Sequence, residues 1–182
     1  MKIVEPAQRP PARYVPYDPK WAAVARDLAQ AASRRAPWLQ IDHVGSTAVP
    51  YCGGKGIVDL LAIYPPGRLH QAVETLTDMG FVPQGPDFPH PFPEDRPMLL
   101  GTYHVDGEPY TVYVHVLSAD SPEVRRFRIF RDRLAAQPEL MRRYCDVKRR
   151  IIAQGVTDSD RYRRAKQAVI EEILGEDLKL SG

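Results

Sequence analysis

The sequence predicts an α+β fold: a small mixed β-sheet flanked by helices, with a helical C-terminal third. Three observations carry this prediction. Short apolar runs at 40–44, 56–63, 98–104 and 110–117 have strand length and are bounded by turn residues. Apolar stripes at helical spacing precede and separate them, from residue 19 to about 37 and over 69–79. From residue 123 to 174 strand patterns cease, and apolar residues recur every three or four positions. At 182 residues, 43% hydrophobic and 26% charged, the chain has the size and composition of one globular domain spanning 1–182.

Residues 1–13 contain several prolines and no periodicity, the pattern of an extended arm. Asp18-Pro19 supplies an N-cap and a first-turn proline for the first helix, whose stripe is Trp21, Val24, Ala25 and Leu28. Gln40 to Val44 is a short strand entering a Gly-Ser turn. Gly56 to Ile63 is apolar except for Asp59, as expected of a strand buried on both faces. Alternation puts Ile57, Asp59, Leu61 and Ile63 on one face, and Pro65-Pro66 ends the run. Leu69 to Met79 is helical, with Leu69, Val73 and Leu76 inward and Gly80 as its cap.

Phe81-Val82-Pro83 begins a strand that proline cuts short. Residues 84–97 carry five prolines and no period, a long loop of the kind used as a lid or binding loop. Asp87, His90, Asp95 and Arg96 lie there, either to meet a substrate or as surface decoration. Met98 to His104 and Tyr110 to Leu117 form a hairpin about Asp106-Gly107. In its second strand Thr111, Tyr113, His115 and Leu117 share a face. Three helices finish the pattern. The first starts at Ser121-Pro122 and presents Val124, Phe127 and Leu134. The second starts near Pro138 and presents Leu140, Tyr144, Val147 and Ile151. The third starts near Asp158 and presents Tyr162, Ala165, Val169 and Ile173.

No apolar run approaches the roughly 20 residues needed to span a bilayer. Met1 to Arg13 lacks the apolar core of a secretory signal. Cys52 and Cys145 form no C-x-x-C pair and suggest no disulfide framework, so a reducing cytoplasm is the expected home. Net charge is +2 but uneven, with fourteen Lys/Arg against six Asp/Glu between Glu123 and Lys166. Such basic helices either attract nucleotide phosphates or RNA, or simply face solvent.

The densest chemistry lies at His43-Val44-Gly45-Ser46-Thr47-Ala48-Val49-Pro50 and the Lys55-to-Asp59 segment after it. Gly45 permits close backbone approach to a ligand, and Ser46 and Thr47 add hydroxyl donors. Lys55 is a point charge suited to phosphate. Asp59, inside an apolar strand, needs a metal, a proton or a partner charge. Together these suggest a phosphate-and-metal site; a glycine-rich loop with a salt-bridged aspartate is the alternative. His43 and His115 could converge on Asp59 as an acid–base unit or as ligands of a transition metal. His115 is otherwise a core histidine. Tyr51 is large enough to stack on a ring. Lys148, Tyr162 and Lys166 either reach the pocket or cover the core, and Tyr144 reads as core. Cys52 stands beside the motif without a recognisable base.

The motif, with Lys55 and Asp59 behind it, resembles the signature of the GrpB family, a branch of the nucleotidyltransferase superfamily. Further segments are similar in the correct order: Tyr17-Asp18-Pro19 with Trp21, Val114-His115-Val116, Arg131-Asp132 with Leu134, Pro138-Glu139-Leu140, Tyr144, Lys148, Tyr162 and Lys166. The resemblance implies a nucleotidyltransferase-like fold in which turn amides and a serine hold a triphosphate while acids hold Mg²⁺ or another divalent metal. Gly45-Ser46 and Asp59 match the first two stations. The second acid would fall at Leu61, and His115 stands where a third is sought, so the implied metal ligands reduce to Asp59 and His115. Mg²⁺ prefers oxygen ligands, and this set suits it poorly. Tyr51-Cys52 and Gly56 also depart from the family's usual loop. Three readings follow: a nucleotidyltransferase-like enzyme acting on a nucleotide or phosphorylated small molecule; a metal-independent enzyme using His43, Asp59 and His115; or a nucleotide- or RNA-binding module.

Overall fold

A computed structural model describes residues 2–7, 9–85 and 93–175. The elements run α1 (Lys20–Arg35), β1 (Gln40–Val44), a 3-10 turn (Ser46–Ala48), β2 (Ile57–Tyr64), α2 (Leu69–Met79), β3 (Val82–Pro83), β4 (Met98–Val105) and β5 (Glu108–Ser118). The helices α3 (Pro122–Ala136), α4 (Pro138–Ala153), α5 (Ser159–Ala165) and α6 (Gln167–Leu174) follow. The five strands form one sheet in the order β1-β2-β5-β4-β3, parallel at β2/β5 and antiparallel elsewhere. The predicted α+β class and mixed sheet are observed.

Sequence period decides which face of the sheet each side chain meets. Val58, Leu60 and Ala62 of β2 and Val112, Val114 and Val116 of β5 pack against α1 and α2 in the main core. The intervening residues look the other way, toward the C-terminal helices: Leu61, Ile63 and Leu117 pack with Val44, Val124 and Phe127. β2 has neighbours on both sides and is apolar on both faces except at Asp59, as its composition predicts. In α2 the deepest residues are Ala72, Leu76 and Met79, with Leu69 and Val73 flanking them against the same core. Asp18 caps α1 through its Oδ1, which accepts from Lys20 N at 2.9 Å.

One expectation is revised. The last predicted helix is two, because the chain breaks at Lys166 (φ −95°, ψ 1°). The halves of its apolar stripe serve different clusters: Tyr162 packs with Ala12, Ile151 and Val156, whereas Val169 and Ile173 pack with Leu134, Tyr144 and Cys145. One straight helix could not serve both, and the break leaves Ala165 exposed. The extended arm, in turn, is laced to the body from end to end. Ile3 N and Val4 N donate to Met79 O at 2.9 and 3.0 Å, Glu5 N to Thr102 O at 2.9 Å, and Ala12 N to Thr157 O at 2.7 Å. Gly80 makes room for it: at φ 113° it caps α2, and a Cβ there would lie 1.9 Å from Val4 O.

Candidate functional site

The site forms where β1 turns into the 3-10 segment above the face that β2 and β5 present to the C-terminal helices. Val44 pairs with Asp59, so Gly45 lies directly over the Asp59 side chain. Gly45 adopts φ 70°, and a Cβ would sit 2.7 Å from Asp59 Oδ2. Only glycine lets the turn come this close to the carboxylate. In the parallel register Tyr113 lies beside Asp59 and His115 beside Leu61, so all four side chains share one face. His115 Nε2 stands 3.9 Å from Asp59 Oδ1, an ion-pair separation longer than a hydrogen bond. The Phe127 ring closes over His115, centroid to centroid at 5.0 Å.

Cations converge from three directions. Lys55 Nζ donates to Ser159 Oγ at 2.8 Å, and Ser159 Oγ donates to Pro10 O at 3.2 Å. Burial, with Arg9 nearby, pushes the Lys55 ammonium down to about 8. Lys148, 1% exposed on α4, donates to Gly53 O, lies 3.5 Å from Cys52 Sγ and covers the Tyr144 ring at 4.1 Å. Burial lowers it as well. Lys166, at the α5/α6 break, stands 5.1 Å from the Tyr162 ring. Burial and then Lys148 push its ammonium to about 8. Ser46 Oγ and Lys148 Nζ both flank Gly54, where a Cβ would lie 3.0 and 3.3 Å from them.

These groups line a cavity of about 590 Å³ together with Arg9, Arg163, Asp160, Tyr113 and Tyr162. The Arg9 guanidinium is held by Asp160 at 2.7 and 3.3 Å. Two phenol oxygens, Tyr113 Oη and Tyr162 Oη, are buried without a hydrogen-bond partner among the described residues. Burial raises both phenols, Tyr113 to about 12, so each remains a donor at neutral pH. Buried polar atoms normally have partners, and a cavity wall is where a ligand supplies them. A second cavity of about 480 Å³ adjoins the first and shares Ser46, Asp59, His115 and Lys166.

Eight of the predicted residues therefore come together: Gly45, Ser46, Lys55, Asp59, His115, Lys148, Tyr162 and Lys166. Three do not. His43 pairs with Leu60 and so faces the α1 side of the sheet, opposite to Asp59. Its Nε2 meets Thr47 Oγ1 at 3.0 Å; burial pushes the ring down to about 4, with the Asp59 charge opposing and Arg131 adding. The expected His43–Asp59–His115 trio is thus a pair, because alternation along β1 sends position 43 to the wrong face. Thr47 is buried with its hydroxyl spent on His43. Tyr51 is 81% exposed at φ 66°, beside Tyr17 at 6.0 Å, and lines neither cavity.

Arg9, Tyr113, Ser159 and Asp160 were missed. Tyr113 was legible from its shared face with His115; Arg9 had no local signal, since only the path of the arm brings it here. Within the long loop, Arg96 lines the larger cavity and pairs with Glu123, Asp95 is exposed, and Asp87 and His90 lie outside the described residues. Cys52 and Cys145 are free and buried, with sulfurs 3.5 Å apart, a proximity their spacing did not reveal.

A two-magnesium cage does not fit these residues. Leu61, at the second acid station, is fully buried among Val44, Ile63 and Leu117. Among the described residues no three His, Cys, Asp or Glu side chains group to hold a metal. Several basic residues of the C-terminal helices make ion pairs or hydrogen bonds within the described chain. Arg128 pairs with Asp42, Arg143 with Glu172 and Arg149 with Asp146, and Arg133 donates to the α6 carbonyl of Ile173. No described helix is long and apolar enough to cross a membrane.

Fold and site together define a small α+β protein with a lysine-lined cleft built on a Gly-Ser turn. The family model described as "GrpB protein" matches residues 11–176, and the chain belongs to that family. A UPF0157 protein of Pseudomonas aeruginosa is 33% identical over 90% of this chain and 66% of its own length. One from Vibrio cholerae is 31% identical over 77% of this chain and 68% of its own. The chain thus spans about two thirds of the length of these relatives. The crystal structure of the conserved protein GrpB from Enterococcus faecalis has the same fold, with TM-score 0.71 and 23% identity over 89% of this chain and 94% of that one. The Cid1 poly(U) polymerase is a far more distant likeness, with TM-score 0.41 and 14% identity over 72% of this chain and 43% of that one.

Proposed function

We propose that the cleft binds the phosphate of a nucleotide or other phosphorylated small molecule and acts on it through Asp59 and His115. The observation that carries this reading is the convergence of Lys55, Lys148 and Lys166 on one cavity with the Asp59–His115 pair. Three ammonium groups crowded in a buried site repel one another, and an anion among them relieves that repulsion. Gly45 and Ser46 bring the turn against the same space, and the Ser46 hydroxyl offers a donor to phosphate oxygens. His115 Nε2 stands 3.9 Å from Asp59 Oδ1 on the cavity wall, where an imidazole can take a proton from an attacking group or give one to a leaving group. The incomplete acid set favours this acid–base chemistry over a two-metal mechanism.

The test is calorimetric titration of a nucleoside triphosphate, with and without Mg²⁺ or Mn²⁺, into the unaltered protein, Lys166→Met and Asp59→Asn. Binding is expected without added metal, about tenfold weaker in Lys166→Met. Asp59→Asn is expected to bind as well or more tightly, because it removes a negative charge from an anion site. Binding that requires metal and disappears in Asp59→Asn would make Asp59 a metal ligand. Absence of binding under every condition would discard nucleoside triphosphates as ligands.

A further inference from the structure

The two cavities differ in chemistry and meet at a seam. Ser46, Asp59, His115, Glu123, Phe127, Lys166 and Ile170 belong to both. On one side lie Lys55, Lys148 and the two unpartnered phenols. On the other the wall is Pro122, Phe130, Tyr144 and Leu174, with Arg126 as its one charged side chain beyond the seam among the described residues. Phe130 and Tyr144 meet edge to face at 5.4 Å and 84°, which fixes the shape of this wall. Phe127 and Ile170 extend this apolar wall, while the polar groups of the lining are the seam residues Ser46, Asp59, His115, Glu123 and Lys166, and Arg126 beyond it.

We infer that the ligand is an amphiphilic phosphate ester: its phosphate sits among the lysines, an aryl or other apolar group fills the aromatic compartment, and the ester linkage crosses the seam at Asp59 and His115. This rests on the phosphate reading above and narrows its substrate class. A nucleobase carries several donors and acceptors on its edges, and beyond the seam the only polar side chains among the described lining residues are Arg126 and the Tyr144 phenol, so a base seated there would leave most of its edge groups without a partner. A plain aromatic or aliphatic group forfeits nothing there and gains from burial. The cavity of about 480 Å³, seam included, has room for a group of one or two rings.

The experiment compares inorganic phosphate, phenyl phosphate, 1-naphthyl phosphate and AMP by calorimetry on the unaltered protein, then on Phe130→Ala. Expected is 1-naphthyl phosphate at least about tenfold tighter than inorganic phosphate, with AMP gaining less than the naphthyl ester. Phe130→Ala should erase most of the naphthyl gain and leave inorganic phosphate within about twofold. Should that variant fail to fold, the series on the unaltered protein still decides. Equal affinity for inorganic phosphate and the naphthyl ester would overturn the inference while leaving the phosphate reading standing. AMP binding more tightly than the naphthyl ester would overturn it in favour of a base-reading compartment. Failure of every phosphate to bind would overturn the phosphate reading itself and the inference with it.

Discussion

Lys55 and Lys166 both titrate near pH 8 because burial and neighbouring cations disfavour their charged forms. An anion in the cleft favours those charged forms and raises both values. At pH 8 the complex therefore holds more protons than the free protein, so binding takes up protons. Calorimetry of sulfate binding (an anion with no proton of its own to release at this pH) in buffers of different ionisation enthalpy should give a positive proton uptake, on the order of 0.5–1 proton at pH 8. Affinity should fall as pH rises above about 8. A binding enthalpy independent of buffer would contradict the placement of phosphate among these lysines. Lysine identity was legible in sequence at 55, 148 and 166, but proximity was not, since these positions are separated by up to two thirds of the chain. His43 shows the converse: its place beside the glycine turn suggested convergence with Asp59, and strand alternation turns its side chain to the other face of the sheet.

Strands β2 and β5 decide what the site can contain. Their parallel register sets Asp59 beside Tyr113 and Leu61 beside His115, so the next station after Asp59 is apolar and lies under α3. Leu61→Asp would not restore an acid pair. It would place a carboxylate where Val44, Ile63, Leu117 and Val124 pack, at a cost on the order of 4 kcal/mol. Urea unfolding should report that loss; an undiminished midpoint together with new Mn²⁺ binding would show that the strand can still host a metal cage. Alternation in β2 predicted the common face of Asp59 and Leu61. It did not predict β5 as the parallel neighbour, because strand order depends on how α2 and the β3–β4 segment carry the chain across the sheet.

The whole molecule is tied together by its N-terminal arm, which crosses from the far edge of the sheet to α5. Val4 and Ala12 are buried along the way, and Arg9 ends in the cleft against Asp160. Deleting residues 2–13 should lower Tm by about 5–10 °C, the equivalent of a few kcal/mol at this size. It should also weaken pyrophosphate binding severalfold, because Arg9 leaves the cleft and the Asp160 carboxylate loses its guanidinium contact. An unchanged Tm would mean that the lacing contributes nothing to stability.

Local chemistry fixed the element list. Periodicity, Asp18-Pro19, Gly80, Asp106-Gly107 and Ser121-Pro122 set helices, strands and turns that each depend on neighbours a few residues away. The glycine turn, Lys55, Asp59 and His115 were visible for the same reason, as unusual residue types in strongly patterned segments. The tertiary structure alone decided which of them meet. It turned His43 and Tyr51 away, broke the last helix at Lys166, and brought Arg9 and three separated lysines into one cavity. Those outcomes depend on strand order, on face and on the burial of distant apolar stripes, and the energies that set them arise only when remote segments pack together.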